Sequence, residues 1–401
     1  MLFNSWAYLF FFPAAIFAYF ATPQRLRWLP LFISSCVFYA AFIPKYLLIL
    51  FAIILIDYVA AIGIEHARKP SAKRFLLVAS IVANLGILAL FKYANWFLSG
   101  IGSWGFLAAY TKQMPHIDWV LPIGLSFHTF QSLSYTIEVY RGKFRAEPHL
   151  GIYAVYVLFF PQMVAGPIER PQNVIPQLHI EHPFRYDSAV NGLRLMLRGF
   201  IKKCVIADGI MYYVQRSYEN PEAARPIALV LATLYFAIQI YCDFSGYSDI
   251  ARGSARIMGI RLMNNFDAPY LAVSIQDFWR RWHISLSTWF RDYLYIPLGG
   301  NRCGPLRRLL NILIVFVLSG VWHGASLTFV VWGLLHGLFF LISESISRLG
   351  LPGLLRSPAL GRFSTLAAVS FAWIYFRAAT LADANLIVRR IFDFRLWHVG
   401  M

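Results

Sequence analysis

The chain has 401 residues, of which 59% are hydrophobic and only 14% charged, against about a quarter charged in soluble domains. That balance excludes an ordinary water-soluble globule, which needs far more polar surface. The formal charge of +17 does not point to nucleic acid, because the basic residues fall in short clusters between apolar runs and no nucleic-acid motif accompanies them.

Taken in chain order, the first apolar run covers residues 5–21. It lacks the pattern of a cleavable signal peptide, since Met1 to Asn4 carries no basic stretch and Arg25 and Arg27 follow the run. It is expected to be a retained first span. Residues 28–43, 46–64 and 75–91 also approach the roughly 20 residues that a span needs, with Asp57 interrupting the third run. Two spans separate Arg25 and Arg27 from the basic loop of Arg68, Lys69, Lys73 and Arg74. Both loops therefore lie on one face, which the positive-inside rule makes cytoplasmic, and the amino terminus lies outside.

Residues 94–108 are apolar but broken by Gly100, Gly102 and Gly105, which suits an interfacial or re-entrant piece. Residues 120–139 and 151–165 hold His128, Gln131, Glu138 and Gln162, as suits backbone buried in protein or lining a cavity. Further spans are expected at 188–211, 226–242, 309–325, 327–346 and 364–379, about nine to eleven in all. No internal repeat or separable soluble segment interrupts the pattern. Residues 1–401 read as one all-α, polytopic membrane domain. The four cysteines, Cys36, Cys204, Cys242 and Cys303, include no CxxC pair, so neither a metal site nor a disulfide framework is expected.

Polar residues that stay inside apolar runs are functional candidates, because a charge at the bilayer centre costs about 2.5–3.5 kcal/mol. Three clusters qualify. In the first, residues 121–141, His128, Gln131 and Tyr135 share one helical face; a packing stripe of polar glue is the preferred reading there, ahead of a site. The second runs from Gln239 to Arg302. It contains Asp243, Ser245, Ser248 and Asp249, then a stretch in which Trp279, Trp282, His283, Leu286, Trp289, Phe290 and Tyr293 share a helical face. Arg280, Ser287 and Arg291 point the other way, so an amphipathic helix is expected at an interface or beneath a bundle. The third cluster, SGVWHGAS at 319–326, interrupts an apolar run. Gly320 and Gly324 leave one face bare for a neighbouring helix or a ligand, and His323 is equally compatible with helix packing and catalysis. His336 lies thirteen residues on, roughly 220° around a continuous helix, and is expected to be structural.

Six segments in order resemble the membrane-bound O-acyltransferase family, specifically its bacterial alginate O-acetylation branch. They are LPIGLSFHTFQSLSYTIEVYRG (121–142), FFPQMVAGPIERP (159–171), GLRLMLRGFIKKCVIAD (192–208), QIYCDFSGYSDIARG (239–253), FWRRWHISLSTWFRDYLYIPLGG (278–300) and LSGVWHGAS (318–326). The resemblance extends over about residues 5–380. It implies a ring of helices around a central tunnel, with the family's invariant histidine at His323 and its second active-site position at His283. It implies no bound cofactor; the acyl donor would be a cytoplasmic thioester, acetyl-coenzyme A or an acyl-carrier thioester. The acceptor would be an extracytoplasmic polysaccharide, reached directly or through a periplasmic partner acetyltransferase. Membrane lipid is the surrounding partner, and the bacterial cytoplasmic membrane the expected location.

A neutral imidazole suits the proton transfer that acyl transfer to a hydroxyl requires. His323 is thus the expected general base, with His283 orienting the donor carbonyl or stabilising the oxyanion. The substrate-binding candidates are Trp322, Ser319, Asp243, Ser245, Arg280, Trp282, His128 and Gln131. Similar proteins continue beyond the equivalent of Asp393 by one or two spans, which leaves the last helices and closure of the tunnel open. Peptidoglycan O-acetylation and teichoic-acid D-alanylation are alternatives within the same chemistry. A transporter using Asp57, Glu138, Asp243 and Asp249, or an export scaffold, are the alternatives outside it.

Overall fold

The computed structural model of the chain describes residues 1–102, 122–164, 166–348 and 357–397, and the regular elements among them are all helical. Helices pair their own backbone groups, which hydrocarbon cannot do for them. Among the described residues, six stretches are long and apolar enough to cross a membrane: Pro44–His66, Pro70–Leu98, Pro226–Ile257, Pro305–His323, Leu327–Ser347 and Pro358–Arg377. Trp6–Ala21 is apolar but shorter. The all-α, multi-pass class expected from composition is the one observed.

The chain forms two compact units, Met1–Phe200 with Tyr247–Met263, and Ile201–Gly246 with Asn264–Met401. The first contains α1 (Trp6–Ala21), α2 (Trp28–Ala40), α3 (Leu47–His66), α4 (Pro70–Gly102), α5 (Leu125–Tyr140), α6 (Leu150–Leu158), α7 (Pro171–His179) and α8 (Tyr186–Phe200). The break expected at Gly100 and Gly102 is absent, since α4 runs through both. A single glycine costs an apolar helix only about 1 kcal/mol. Residues 103–108 of that expected piece lie outside the described residues.

In the first unit Asp57 is completely buried. Ser80 donates to its Oδ1 and Ser132 to its Oδ2, while Asn84 Nδ2 lies 3.0 Å from each oxygen. Tyr153 extends the network to Ser132, Oη to Oγ 2.8 Å. The polar residue of the third apolar run thus faces inward, and hydroxyl and amide donors from α4 and α5 take the place of water. The expected span at 188–211 is not one helix. It consists of α8, a π-helical stretch Ile201–Ala207, and α9 (Asp208–Glu219) in the second unit. Arg194, Arg198, Lys202, Lys203 and Asp208 recur through it, which makes it amphipathic where a span must be apolar.

The second unit continues with α10 (Pro226–Ile257, of which Tyr247–Ile257 belongs to the first unit), α11 (Ile275–Arg281), α12 (Ile284–Phe290), α13 (Pro305–His323), α14 (Leu327–Arg348), α15 (Pro358–Arg377) and α16 (Leu381–Phe392). α13 and α14 are antiparallel and touch backbone to backbone. A Cβ on Gly320 would lie 2.1 Å from the Phe329 carbonyl oxygen, and one on Gly333 would lie 2.3 Å from that of Phe316. Lipid tails are as apolar as leucine, so helices in a bilayer associate through such close packing. The bare face expected at Gly320 and Gly324 is filled by α14, with Phe329 against both glycines.

Candidate active site

The site is built in the second unit from the ends of short elements. α13 stops at His323, and Gly324 closes it with an extended backbone (φ −167°). The continuous helix expected over 279–293 is broken: α11 ends at Arg281, Trp282 is extended, and His283 is left-handed at φ 44°, ψ 55° before α12 begins. His283 and Ala268 are the only non-glycine residues with positive φ among the described ones. Such a conformation persists only where surrounding structure over-determines it, and it clusters at functional sites.

What holds it is the preceding segment. Asp267 N–H donates to the Arg281 carbonyl and Ile284 N–H to that of Asn265, both at 2.9 Å. His283 Nδ1 lies 3.2 Å from Asn265 Oδ1. Phe244 meets the imidazole edge to face at 4.6 Å.

Trp322 lies against both histidines, its ring centroid 6.2 Å from that of His283 and 4.9 Å from that of His323. Trp332 and Phe376 each sit 5.1 Å from His323. Burial, and then the neighbouring His323, push the His283 imidazole well below its ordinary pKa, which favours its neutral form. His336 belongs to the same aromatic cluster, 4.9 Å from Trp332 and 5.0 Å from Trp279. The 220° separation from His323 presumed one unbroken helix. The turn between α13 and α14 resets the phase and sets both imidazoles against Trp332.

A cavity of about 810 Å³ adjoins this cluster at Trp279, and its wall also includes Arg280, Leu286, Phe316, Ser319 and the ion pair of Arg308 with Glu344. Ser319 is one turn before His323 on α13, so the two share a helix face. Its wall mixes apolar side chains with polar and charged ones such as Gln276, Arg280 and Arg291, and the two histidines lie outside its lining.

The sequence candidates divide accordingly. His283, His323 and Trp322 come together, and Ser319 and Arg280 line the cavity. Trp282 packs on Phe278, Phe266 and Trp373 in the core of the unit. Ser245 is buried next to Phe244. Asp243 is half exposed and bound by Lys203 at 2.6 Å, which also holds Asp208 at 2.8 Å. His128 and Gln131 belong to the first unit, where His128 Nδ1 donates to the Val157 carbonyl at 2.9 Å and Gln131 to that of Tyr156. That is helix glue between α5 and α6. Sequence reasoning missed Asn265 and Phe376. The pair Asn264–Asn265 just before an aromatic, arginine-rich stretch was the one available signal for the former.

A model of the family described as MBOAT, membrane-bound O-acyltransferase family, matches residues 141–382. The chain is 37% identical over 409 residues to the probable alginate O-acetylase AlgI of Pseudomonas aeruginosa, covering 100% of this chain and 76% of that protein. It is 33% identical over 423 residues to the peptidoglycan O-acetyltransferase of Helicobacter pylori (97% and 79%). It is 28% identical over 280 residues to the teichoic acid D-alanyltransferase of Bacillus subtilis (67% and 68%).

Proposed function

The chain belongs to the membrane-bound O-acyltransferase family, and from that membership we propose that it moves an acetyl group from a cytoplasmic thioester to hydroxyls of an extracytoplasmic polysaccharide. Family membership makes it an enzyme with an acyl donor and a hydroxyl acceptor, and sets aside the transporter and scaffold readings. Alginate or a similar uronic polymer is the acceptor we favour, because the alginate relative matches at higher identity than the peptidoglycan or teichoic-acid ones. The donor is acetyl-coenzyme A or an acyl-carrier thioester. A periplasmic acetyltransferase partner relays the group where the acceptor is not reached directly. In this reading the enzyme sits in a bacterial cytoplasmic membrane with its amino terminus outside, an orientation that the basic loops favour.

In this reading His323 is the general base. It takes the acceptor hydroxyl proton as the oxygen attacks the thioester carbonyl carbon. The new ester bond forms, the carbon–sulfur bond breaks, and His323 returns the proton to the departing thiolate. His283 orients the reacting groups beside it. The observation that carries the reading is the meeting of His323 and His283 at Trp322, with Ser319 of the same helix face lining the cavity. The donor thioester occupies that cavity, with Arg280 and Ser319 on its wall.

The test is His323→Ala, with polysaccharide acetylation and membrane abundance measured together. Acetylation should fall by about 10²–10⁴-fold, the usual contribution of a positioned base, at unchanged abundance. Normal acetylation at normal abundance sinks the mechanism. Labelled acetyl-coenzyme A given to the purified protein should lose its acetyl group only when His323 is present.

A further inference from the structure

His283 is held by a residue eighteen positions earlier in the chain. Asn265 is completely buried. Its main-chain carbonyl accepts the Ile284 N–H at 2.9 Å. Its side-chain Oδ1 accepts the Ser285 main-chain N–H at 3.1 Å and the Ser285 hydroxyl at 2.8 Å. The same Oδ1 lies 3.2 Å from His283 Nδ1.

These contacts fix where the imidazole proton resides. A main-chain N–H can only donate, so the Asn265 atom that meets it is the amide oxygen and not the nitrogen. An amide oxygen can only accept. The hydrogen on the His283 ring therefore sits on Nδ1, and Nε2 carries the lone pair.

We propose that Asn265 is a positioning residue of the acyl-transfer site, which locks His283 in the Nδ1–H tautomer and in its left-handed backbone so that Nε2 serves as a hydrogen-bond acceptor. The proposal rests on the reading of His283 as a site residue. It also narrows that role. A neutral His283 with its proton committed to Asn265 has no N–H left to stabilise an oxyanion; it accepts a hydrogen bond, and with His323 taking the proton of the attacking hydroxyl, the group that offers one is a neighbouring hydroxyl of the saccharide acceptor. An amide suits the task better than a carboxylate. It selects the tautomer without placing a negative charge beside a buried imidazole.

The experiment labels the histidines of the full chain with nitrogen-15 in lipid nanodiscs and assigns His283 by the signals lost in His283→Gln. The wild type should show a protonated Nδ1 and an unprotonated Nε2. In Asn265→Ala that preference should disappear. Its kcat for acetyl transfer from acetyl-coenzyme A should drop about 10- to 100-fold, as for outer partners that orient a histidine, with the donor KM unchanged. Asn265→Asp keeps the accepting oxygen and should keep both the tautomer and most of the rate. A wild-type His283 protonated on Nε2 overturns the proposal, as does wild-type kcat in Asn265→Ala. If Asn265→Ala fails to accumulate, the wild-type tautomer and Asn265→Asp still decide. Because the tautomer is read without turnover, a failure here is distinct from a failure of His323→Ala, which tests the reaction itself.

Discussion

Asp57 in the first unit and His283 in the second are both buried polar side chains, at 0% and 1% exposure, yet their surroundings differ in kind. Asp57 sits within an ordinary helix, α3, and its carboxylate receives donors from Ser80, Asn84 and Ser132. His283 sits at a break between two seven-residue helices, in a backbone region that side chains avoid, against Phe244 and Trp322. One is a polar knot that ties helices together. The other is an imidazole held in an awkward geometry beside a second imidazole and a chamber. Burial alone therefore does not mark a site in a membrane protein. On the proposed reading of His283, polar burial combined with local strain and adjoining space does.

The sharpest way to break this division is Asp57→Ala. It leaves the donors of Ser80, Asn84 and Ser132 without their acceptor, and each unpaired buried donor costs about 1–3 kcal/mol. Thermal unfolding should shift down by many degrees, while turnover per folded molecule stays at the wild-type value. Lost turnover at wild-type stability would move Asp57 into the chemistry. It would be the mirror image of His323→Ala, which should abolish turnover and spare stability.

A smaller effect tests the region where the two behaviours meet. In Gly320→Ala the added methyl is directed at the Phe329 carbonyl, and overpacking of this sort costs about 1–3 kcal/mol. Because His323 is on the same helix one turn later, both unfolding temperature and turnover should fall. Loss of one without the other would show that helix packing and imidazole placement are separable.

The smallest expected effect concerns Glu169, in the loop before α7. Its Oε1 accepts the Met263 N–H at 2.5 Å and its Oε2 accepts Asn173 Nδ2 at 2.7 Å. Burial pushes its carboxyl up to about 7 from an ordinary 4.5. The folded chain thus keeps a proton that the unfolded chain releases between those values. Its contribution to stability is complete below pH 4.5 and is lost as the pH rises through 7. Unfolding temperature followed across this window should slope downward in the wild type and less so in Glu169→Gln. An unchanged slope would mean that Glu169 is charged throughout.

Much of the fold was legible because hydrocarbon demands one thing of a span, a long apolar run, and α3, α4, α13 and α14 supply it. The motif carrying His323 was legible for a related reason, since SGVWHGAS breaks such a run with residues that lipid does not favour. The break at His283 was not. Seven aromatic and apolar residues from Trp279 to Tyr293 share a helical face, and nothing local interrupts them. The interruption comes from Asn265 across a loop, a tertiary contact that periodicity cannot register. The partnership of His336 with Trp332 was hidden likewise, because helical phase is lost at a turn. The π-helical run after Phe200 was also invisible, although the charges within 188–211 argued against a simple span there. The donors to Asp57 escaped notice because serine and asparagine within an apolar run look the same whether they face lipid or a carboxylate.

The glycine contact between α13 and α14 has a consequence for tolerance in the engineering sense. Where helices meet through long side chains, rotamer changes let one element slide by an ångström at little cost. Where a carbonyl rests on a glycine, as Phe329 does on Gly320 and Phe316 on Gly333, that play is gone. His323, three residues beyond Gly320, is mounted on a reference surface with almost no backlash. Effective molarity in catalysis is lost when groups are misplaced by about 1 Å, so under the proposed mechanism the fit of two bare backbones sets the error with which this imidazole is aimed.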